Sequence, residues 1–193
     1  MQNLITITPY RPQWPEEFRQ LGLKLREALG DLAIRIDHIG STAVPGLAAK
    51  DVIDIQITVT KLDAEKLIPI ITGAGYIHGA DINRDHMPAG RNDAPEEWSK
   101  LIFSTPAGQR RVNLHIRQAG RANQRYAQLF RDYLRADNQV RDAYQQIKEA
   151  LARLHPSDID AYYDVKDPVC DIIMATAERW ATAINYVPGA RDL

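Results

Sequence analysis

The sequence predicts an α/β (α+β) protein, with a β-sheet core, helices packed on it and a helical C-terminal extension. Strands are indicated where apolar and polar residues alternate, most clearly over Ile53–Val59 and again over Val112–Arg117. Helices are indicated where apolar residues recur every three or four positions, as they do through most of the last third of the chain. With 193 residues and 45% hydrophobic composition, a single domain can bury a substantial core.

The N-terminal part contributes one helix and two strands. Leu4–Thr8 is a short extended segment, and prolines then break the backbone until Trp14-Pro15 starts a helix that Gly30 ends. The first core strand covers Leu32–Ile39. A loop of small residues follows, which suits either a close approach of backbone to a ligand or a tightly packed connection. The second core strand covers Asp51–Thr60.

The middle of the chain combines a helix with a long polar loop. Leu62–Thr72 is amphipathic with Asp63 as its N-cap candidate, and Tyr76-Ile77 begins a further strand. Residues 78–97 are polar, rich in turn formers and without a period, so a solvated loop is the favoured interpretation. Loops of this length in compact domains also serve function. Its basic side chains would then close over a phosphate: Arg84, His86 and Arg91.

A hairpin and three helices complete the chain. Trp98–Ser104 and Arg110–Arg117 flank a turn-forming Thr-Pro-Ala-Gly-Gln insert, which predicts a β-hairpin. The helices are expected at Asn123–Ala136, Asn138–Leu154 and Asp158–Ala183. We therefore expect a single domain over residues 1–193, with an α/β core at 1–120 and a helical part at 121–193.

Composition excludes several classes of function. The formal net charge of −1 gives no global attraction to nucleic acid or to membrane surfaces. The single cysteine, Cys170, rules out an intrachain disulfide and a cysteine-based zinc cluster, and its apolar helical setting predicts a packed thiol. No stretch approaches the roughly 20 apolar residues that span a bilayer, and the start carries no signal-peptide pattern. We expect a cytoplasmic protein.

One motif dominates the sequence. The run from His38 to Lys50, His-Ile-Gly-Ser-Thr-Ala-Val-Pro-Gly-Leu-Ala-Ala-Lys, is followed closely by Ile53-Asp-Ile55, and it closely resembles the signature of the GrpB family. Further matching segments lie along nearly the whole chain: Pro9–Pro15, Asn113–Ile116, Phe130–Arg135 and Tyr144–Lys148. The resemblance implies a nucleotidyltransferase-like fold, a mixed β-sheet with helices on one face and a C-terminal helical extension. Members of this family also occur fused to a dephospho-CoA kinase.

The resemblance also implies site residues. Nucleotidyltransferases bind a nucleoside triphosphate at a Gly-Ser turn, and carboxylates spaced Asp-x-Asp on the next strand hold divalent metal for phosphoryl transfer. It assigns catalytic and metal-binding roles to Asp54 and His115, with Mg²⁺ or Mn²⁺ as the expected ion. It assigns nucleotide-binding roles to His38, Gly40, Ser41, Thr42, Lys50, Gln56 and Asn113. The expected partner is a small nucleotide or phosphorylated metabolite.

Two positions depart from the nucleotidyltransferase pattern. Gln56 stands where the second acid belongs, and an amide oxygen carries no charge to offset a divalent ion. His115 stands near the third acid position, where it could ligate a metal such as zinc or manganese, act as a general base, contact phosphate, or only hydrogen-bond within the sheet. Lys50 also has two interpretations: its side chain contacts a phosphate, or it is solvated. A local basic cluster near the hairpin could bind phosphates as well: Arg110, Arg111, Arg117 and Arg121.

These observations leave two function classes open. The first is a nucleotidyltransferase-like enzyme that binds a nucleotide or phosphorylated metabolite and transfers a nucleotidyl group with metal assistance. The second is a non-catalytic binding or regulatory module that kept the fold and lost the metal chemistry, which Gln56 favours. A transferase acting on RNA is the least favoured alternative, because the near-neutral charge offers no extended basic track.

Overall fold

A computed structural model describes residues 4–193 and confirms the predicted α/β architecture. In chain order the helices and strands are α1 Trp14–Leu29, β1 Arg35–Ile39, β2 Ile53–Val59, α2 Ala64–Gly73, β3 Ile77–His78, β4 Leu101–Ser104, β5 Val112–Gln118, α3 Ala122–Ala136, α4 Asn138–Leu154 and α5 Ile159–Ala183. Each predicted helix and strand is present, with ends that differ by a few residues at most. Asp63 caps α2 as expected, since its carboxylate accepts a hydrogen bond from the Lys66 amide at 3.3 Å.

The sheet is mixed, with strand order β1-β2-β5-β4-β3. Only the β2–β5 pair is parallel among the strands of residues 4–193, and the predicted hairpin forms the antiparallel β4–β5 pair. The parallel register places Asp54 beside Asn113 and Gln56 beside His115. The predicted polar residues of two strands thus share one face of the sheet.

The two faces of the sheet have different chemistry. The apolar face carries Ile55, Ile57 and Leu114, all fully buried, and α1 and α2 cover it with Trp14, Leu25, Leu67 and Ile71. The polar face carries Asp54, Gln56, Asn113, His115 and Arg117, and α3 to α5 lie over it. Helices therefore cover both faces of the sheet, and not one face as the family resemblance implied. Alternation along each strand separates an apolar core from a polar layer.

The helical part has an apolar core of its own. Leu129, Leu134 and Met174 pack with Val44 and Leu47, which belong to the small-residue loop after β1. That loop therefore joins the sheet to the helices. This packing favours one of the two interpretations given for the loop, a tightly packed connection. Within residues 4–193 no helix is long and apolar enough to cross a membrane.

The polar loop between β3 and β4 is held in place at its centre. The Asp85 amide donates to the Trp98 carbonyl at 2.8 Å, and the Lys100 amide donates to the Asn83 carbonyl at 2.9 Å. Arg84 and Arg91 are exposed, as expected for a solvated loop. Asp85 instead turns inward toward the polar face of the sheet, where it meets Arg117.

Candidate functional site

A cavity of about 440 Å³ lies between the polar face of the sheet and the helices α3 to α5. Most of the nucleotide-binding and catalytic residues expected from the sequence line it together: Gly40, Ser41, Thr42, Lys50, Asp54, Asn113 and His115. Two expected residues, His38 and Gln56, do not line it. The cavity is thus the point at which the motif after β1, the strands β2 and β5 and the helical part meet.

The Gly40-Ser41 turn needs its glycine. Gly40 has φ +70°, in the left-handed region that disfavours other residues, and a Cβ there would lie 2.4 Å from Oδ2 of Asp54. The next residue, Thr42, donates its hydroxyl to the Val52 carbonyl at 3.1 Å and lies 3.0 Å from Nε2 of His38. The turn therefore rests directly against the Asp54 carboxylate, as a shared site requires.

His38 supports this turn from the other side of the sheet. Its ring stacks on Phe18 with centroids 4.8 Å apart, and it is buried in the apolar core. Burial lowers the pKa of His38 to about 3, so the ring is neutral at physiological pH. Because the Thr42 hydroxyl gives its proton to Val52, Nε2 of His38 is the donor of their hydrogen bond. His38 therefore holds Thr42 in position.

Asp54 is the carboxylate nearest to the turn. Nδ2 of Asn113 donates to its Oδ1 at 2.8 Å, and Nε2 of His115 lies 3.9 Å from the same oxygen. Burial raises the pKa of Asp54, but the His115 ring and the Asn113 hydrogen bond outweigh it and bring the pKa below its ordinary value. Asp54 is therefore ionised and faces the cavity.

Arg117 fills the centre of the polar face. Its guanidinium donates to Oε1 of Gln56 at 2.7 Å and to both carboxylate oxygens of Asp85 at 2.8 and 2.9 Å. Asp85 also accepts from Nζ of Lys100 at 2.7 Å and from Nδ2 of Asn123 at 3.0 Å. Burial raises the pKa of Asp85, and the Arg117 and Lys100 cations lower it by more, to far below its usual range. This closed cluster anchors the β3–β4 loop.

Gln56 is part of that cluster. Its side chain is fully buried, and its Nε2 donates to the Gln124 carbonyl at 3.1 Å while its oxygen accepts from Arg117. Both ends of the amide are thus hydrogen-bonded to protein. The residue at the second acid position consequently faces Arg117 and α3, away from the cavity.

Arg117 also determines the tautomer and the protonation state of the His115 ring. Its Nη2 lies 3.4 Å from Nδ1 of His115, and since a guanidinium only donates, Nδ1 is the acceptor. The ring proton is then on Nε2, toward Asp54. Burial, followed by the Arg117 charge, lowers the pKa of His115, so the ring is neutral. A neutral ring of this tautomer offers no lone pair at Nε2.

These contacts do not fit the metal site that the fold family implies. Asp54 is ionised and has no Lys or Arg partner among the described residues, but both ends of the Gln56 amide are hydrogen-bonded to protein. Asp85 is already neutralised by two cations, and His115 presents an N–H. In residues 4–193, no group of three or more His, Cys, Asp or Glu side chains is placed to hold a metal ion. Hard divalent cations require several oxygen ligands, which this arrangement lacks.

Cationic side chains predominate around the cavity. They come from the sheet, the loops and the helices: Lys50, Lys100, Arg111, Arg117, Lys148 and Lys166. Lys100 and Arg117 are paired with Asp85, and Lys166 pairs with Asp167 at 2.6 Å. The remaining three face one open carboxylate, Asp54.

Two lysines lie close to the Ser41 end of the cavity. Nζ of Lys50 donates to the Tyr163 hydroxyl at 2.7 Å and lies 4.5 Å from the centre of that ring. Nζ of Lys148, from α4, lies 3.1 Å from Oγ of Ser41 and 2.5 Å from the Ala48 carbonyl oxygen. Burial lowers the pKa of Lys148 to about 7. This end can accept an anion on side chains from three separate elements.

Aromatic side chains from the helical part form much of the remaining wall. The rings of Tyr126 and Phe130 on α3 are nearly parallel with centroids 6.2 Å apart, and Phe130 meets Tyr144 of α4 edge to face at 5.7 Å. Tyr162 of α5 also lines the cavity. Aromatic faces of this kind can stack on a planar ligand group.

The predicted basic cluster near the hairpin does not act as a unit. Arg110 pairs with Glu17 and Asp51 at 2.6 Å each, and Arg121 pairs with Glu97 at 2.6 Å. Of the four arginines, Arg111 and Arg117 reach the cavity. Cys170 also borders the cavity and is buried, in agreement with a packed thiol.

Sequence reasoning missed several residues of the cavity. Asp85 lies in a loop without periodicity, and Lys100 precedes β4 with no motif around it, so neither carried a signal. Lys148 lies at the end of a matching segment, Tyr144–Lys148, which could have identified it. Its contact with Ser41, however, spans 107 positions in the chain.

Known proteins resemble this chain over most of its length. A family model described as GrpB protein matches residues 4–176. A dephospho-CoA kinase of Mycolicibacterium paratuberculosis is 36% identical over 95% of this chain and 48% of its own length, so the chain spans about half the length of the first curated relatives it matches. The UPF0157 protein BH1888 of Halalkalibacterium halodurans is 33% identical over 90% of this chain and 82% of its own length.

A solved structure has the same fold. The crystal structure of the conserved protein GrpB from Enterococcus faecalis aligns with a TM-score of 0.74 and 27% identity, covering 91% of this chain and 99% of that chain. A structure of Cid1 with the UTP analog UMPNPP aligns at a TM-score of 0.47 and 14% identity, over 76% of this chain and 43% of that chain. The second likeness is too distant to support an inference about function.

Proposed function

This chain belongs to the GrpB protein family, and from that premise we propose that it binds a nucleotide or another phosphorylated metabolite in the cavity between its sheet and α3 to α5. The observation that carries the proposal is the charge of the cavity at the Gly40-Ser41 turn. Lys50 and Arg111, together with the protonated fraction of Lys148, line the same cavity as a single open carboxylate, Asp54. A ligand with one or more phosphate groups would neutralise this excess.

The lining of the cavity suits both parts of a nucleotide. The Ser41 hydroxyl, Lys50 and Lys148 would contact phosphate. Tyr126 and Phe130, on the α3 wall of the same cavity, offer aromatic faces for a planar base. The volume of about 440 Å³ falls within the range of roughly 300–1,000 Å³ that is usual for small-molecule sites.

The two candidate functions differ in whether the bound ligand reacts. Nucleotidyl transfer follows from the family resemblance, with Asp54 as the catalytic carboxylate. The second candidate, a non-catalytic binding module, is favoured by Gln56, since Arg117 and Gln124 occupy both ends of its amide. Both candidates share the phosphate-binding cavity, so binding is the property to test first.

Calorimetry would test the proposal directly. ATP, CTP, GTP, UTP and dephospho-CoA are titrated into the full chain with and without Mg²⁺ or Mn²⁺. Dephospho-CoA is included because the kinase relatives act on it by name and it carries an adenine nucleotide. We expect binding by at least one ligand that Lys50→Met weakens by about tenfold, while Lys24→Met, an exposed lysine on α1, leaves affinity unchanged.

The role of Asp54 separates the candidates. A working transferase site would show metal-dependent binding that Asp54→Ala abolishes. A binding module would hold the nucleotide equally well with and without metal, and Asp54→Ala would strengthen binding because it removes a negative charge near the phosphates. Absence of binding by every phosphorylated ligand would refute the proposed function.

A further inference from the structure

Ser41 and Lys148 make a contact that phosphate binding alone does not require. Oγ of Ser41 lies 3.1 Å from Nζ of Lys148, within the 2.6–3.2 Å reach expected of a nucleophile and its general base. Ser41 lies at the cavity wall directly after Gly40, whose left-handed φ of +70° sets the turn. The side chain of Ser41 is partly open to the cavity, and that of Lys148 is buried.

The surroundings of Lys148 suit a neutral amine. Its Nζ donates to the Ala48 carbonyl and lies 4.7 Å from the centre of the Tyr144 ring, and no carboxylate contacts it within residues 4–193. The charged or titratable groups around it are Cys170 and Lys166 from α5, Glu149 on α4, Lys50 before β2, and Tyr144 of α4, whose hydroxyl is hydrogen-bonded to Ser41. Burial brings its pKa to about 7, so a large fraction is unprotonated at neutral pH. An unprotonated Nζ can accept the Ser41 proton.

We propose that Ser41 and Lys148 form a nucleophile–base pair through which the cavity takes a phosphoryl-type group onto the serine oxygen. The proposal rests on the proposed function, because the phosphorylated ligand supplies the electrophile. It also gives the site a route to group transfer that does not depend on paired carboxylates. Serine–lysine pairs of this geometry activate serine in unrelated enzymes.

The step balances with a nucleoside triphosphate as the donor. Oγ of Ser41 attacks the α-phosphorus, an Oγ–P bond forms, and the bond from that phosphorus to the bridging oxygen of the pyrophosphate breaks. The hydroxyl proton passes to Nζ of Lys148, and pyrophosphate leaves toward Lys50 and Arg111. Water or a hydroxyl-bearing acceptor then attacks the same phosphorus and releases its proton to solvent, and the Oγ–P bond breaks as the serine oxygen recovers its proton from Lys148.

A fluorophosphonate probe tests the pair without knowledge of the natural ligand. The serine oxygen displaces fluoride from the probe phosphorus, and the adduct is measured by intact mass and located by peptide mapping. The reaction runs in EDTA, so that no metal contributes. We expect a single adduct on Ser41, lost in Ser41→Ala and retained in Ser104→Ala, whose serine is exposed on β4 and does not line the cavity.

Two replacements of Lys148 separate its chemistry from its packing. Lys148→Met removes the base, and Lys148→Arg can keep a donor for the Ala48 carbonyl but stays protonated. Both should slow labelling by about 100-fold or more, with folding checked by thermal unfolding. In the wild type the labelling rate should rise with pH through about 7 and then level off, and the lysine variants should lose that inflection.

The outcomes are distinct from those of the nucleotide titrations. Labelling on another residue, or labelling of Ser41 at the same rate in both lysine variants, would overturn the nucleophile–base pair. If nucleotides bind while Ser41 stays unlabelled, the pair is refuted and the proposed function stands. If Ser41 labels in a Lys148-dependent manner and no nucleotide binds, the pair stands and the proposed ligand is wrong.

Discussion

Replacing Gly40 with alanine tests how the turn and the carboxylate share space. A Cβ at this position would lie 2.4 Å from Oδ2 of Asp54 and 3.0 Å from its Cβ and Cγ. Oδ2 is the end of a side chain, but Asn113 holds the other oxygen at 2.8 Å, so Asp54 cannot move without weakening that bond. Gly40→Ala must therefore disturb both the backbone and the Asp54 hydrogen bond.

The expected cost has two parts. A non-glycine residue in the left-handed region costs about 1–2 kcal/mol, and loss of a hydrogen bond to a charged group costs about 1.5–3 kcal/mol. We expect Gly40→Ala to lower the free energy of unfolding by about 3–4 kcal/mol. For a chain of 193 residues this corresponds to a fall in Tm of about 6–16 °C.

The free energy of urea unfolding, compared between matched variants, isolates the contribution of the contact between position 40 and Asp54. Gly120→Ala is the control, because Gly120 has φ +81° and a Cβ there meets nothing within 4 Å, so only the backbone part applies. In an Asp54→Ala background the cost of Gly40→Ala should fall most of the way to the value of the control, because the contacts with Oδ2 and Cγ are gone and the 3.0 Å contact with Cβ remains. Equal losses in Gly40→Ala and Gly120→Ala, measured at equal m-values, would refute the close contact with Asp54.

Two further predictions concern buried charges. Arg117→Met leaves the partly buried Asp85 carboxylate with Lys100 and Asn123 but without its bidentate partner, so we expect a loss of about 1.5–3 kcal/mol in urea unfolding and faster hydrogen exchange over residues 79–97; unchanged exchange there would contradict the anchoring role. Because the pKa of Lys148 is about 7 in the folded state and higher when unfolded, the unfolded state binds more protons between these values. Wild-type stability relative to Lys148→Met should therefore rise with pH above 7, by up to about 1.4 kcal/mol per pH unit, and a flat difference would contradict the lowered pKa.

Local patterns predicted the architecture because strands and helices follow short-range periodicity. The alternation over Ile53–Val59 identified both faces of β2, and the helix Asn138–Leu154 was predicted with its observed ends. The hairpin followed from a turn-forming insert between two alternating segments. Each of these signals lies within a few tens of residues, where sequence spacing and spatial contact correspond.

The site was only partly predictable because its remaining contacts join distant segments. Asp85 reaches Arg117 across 32 positions, and Lys148 reaches Ser41 across 107. His38 was placed in the site by its motif, although strand alternation puts it on the same face as Ile36, in the apolar core. Arg117 contacts both Gln56 and His115, and these contacts determine whether either side chain is available to a ligand. No short-range sequence pattern predicts such contacts.

The pairing of Gln56 with Arg117 determines whether metal chemistry could be restored. Gln56→Glu would add an acid of the same length, but the guanidinium already lies 2.7 Å from the amide oxygen and would pair with the new carboxylate. The second oxygen would also face the Gln124 carbonyl, where the amide now donates. We therefore expect Gln56→Glu to destabilise the fold and to gain no affinity for Mn²⁺, measured by electron paramagnetic resonance. A clear gain in Mn²⁺ affinity by this single substitution would show that Arg117 does not block the second acid position.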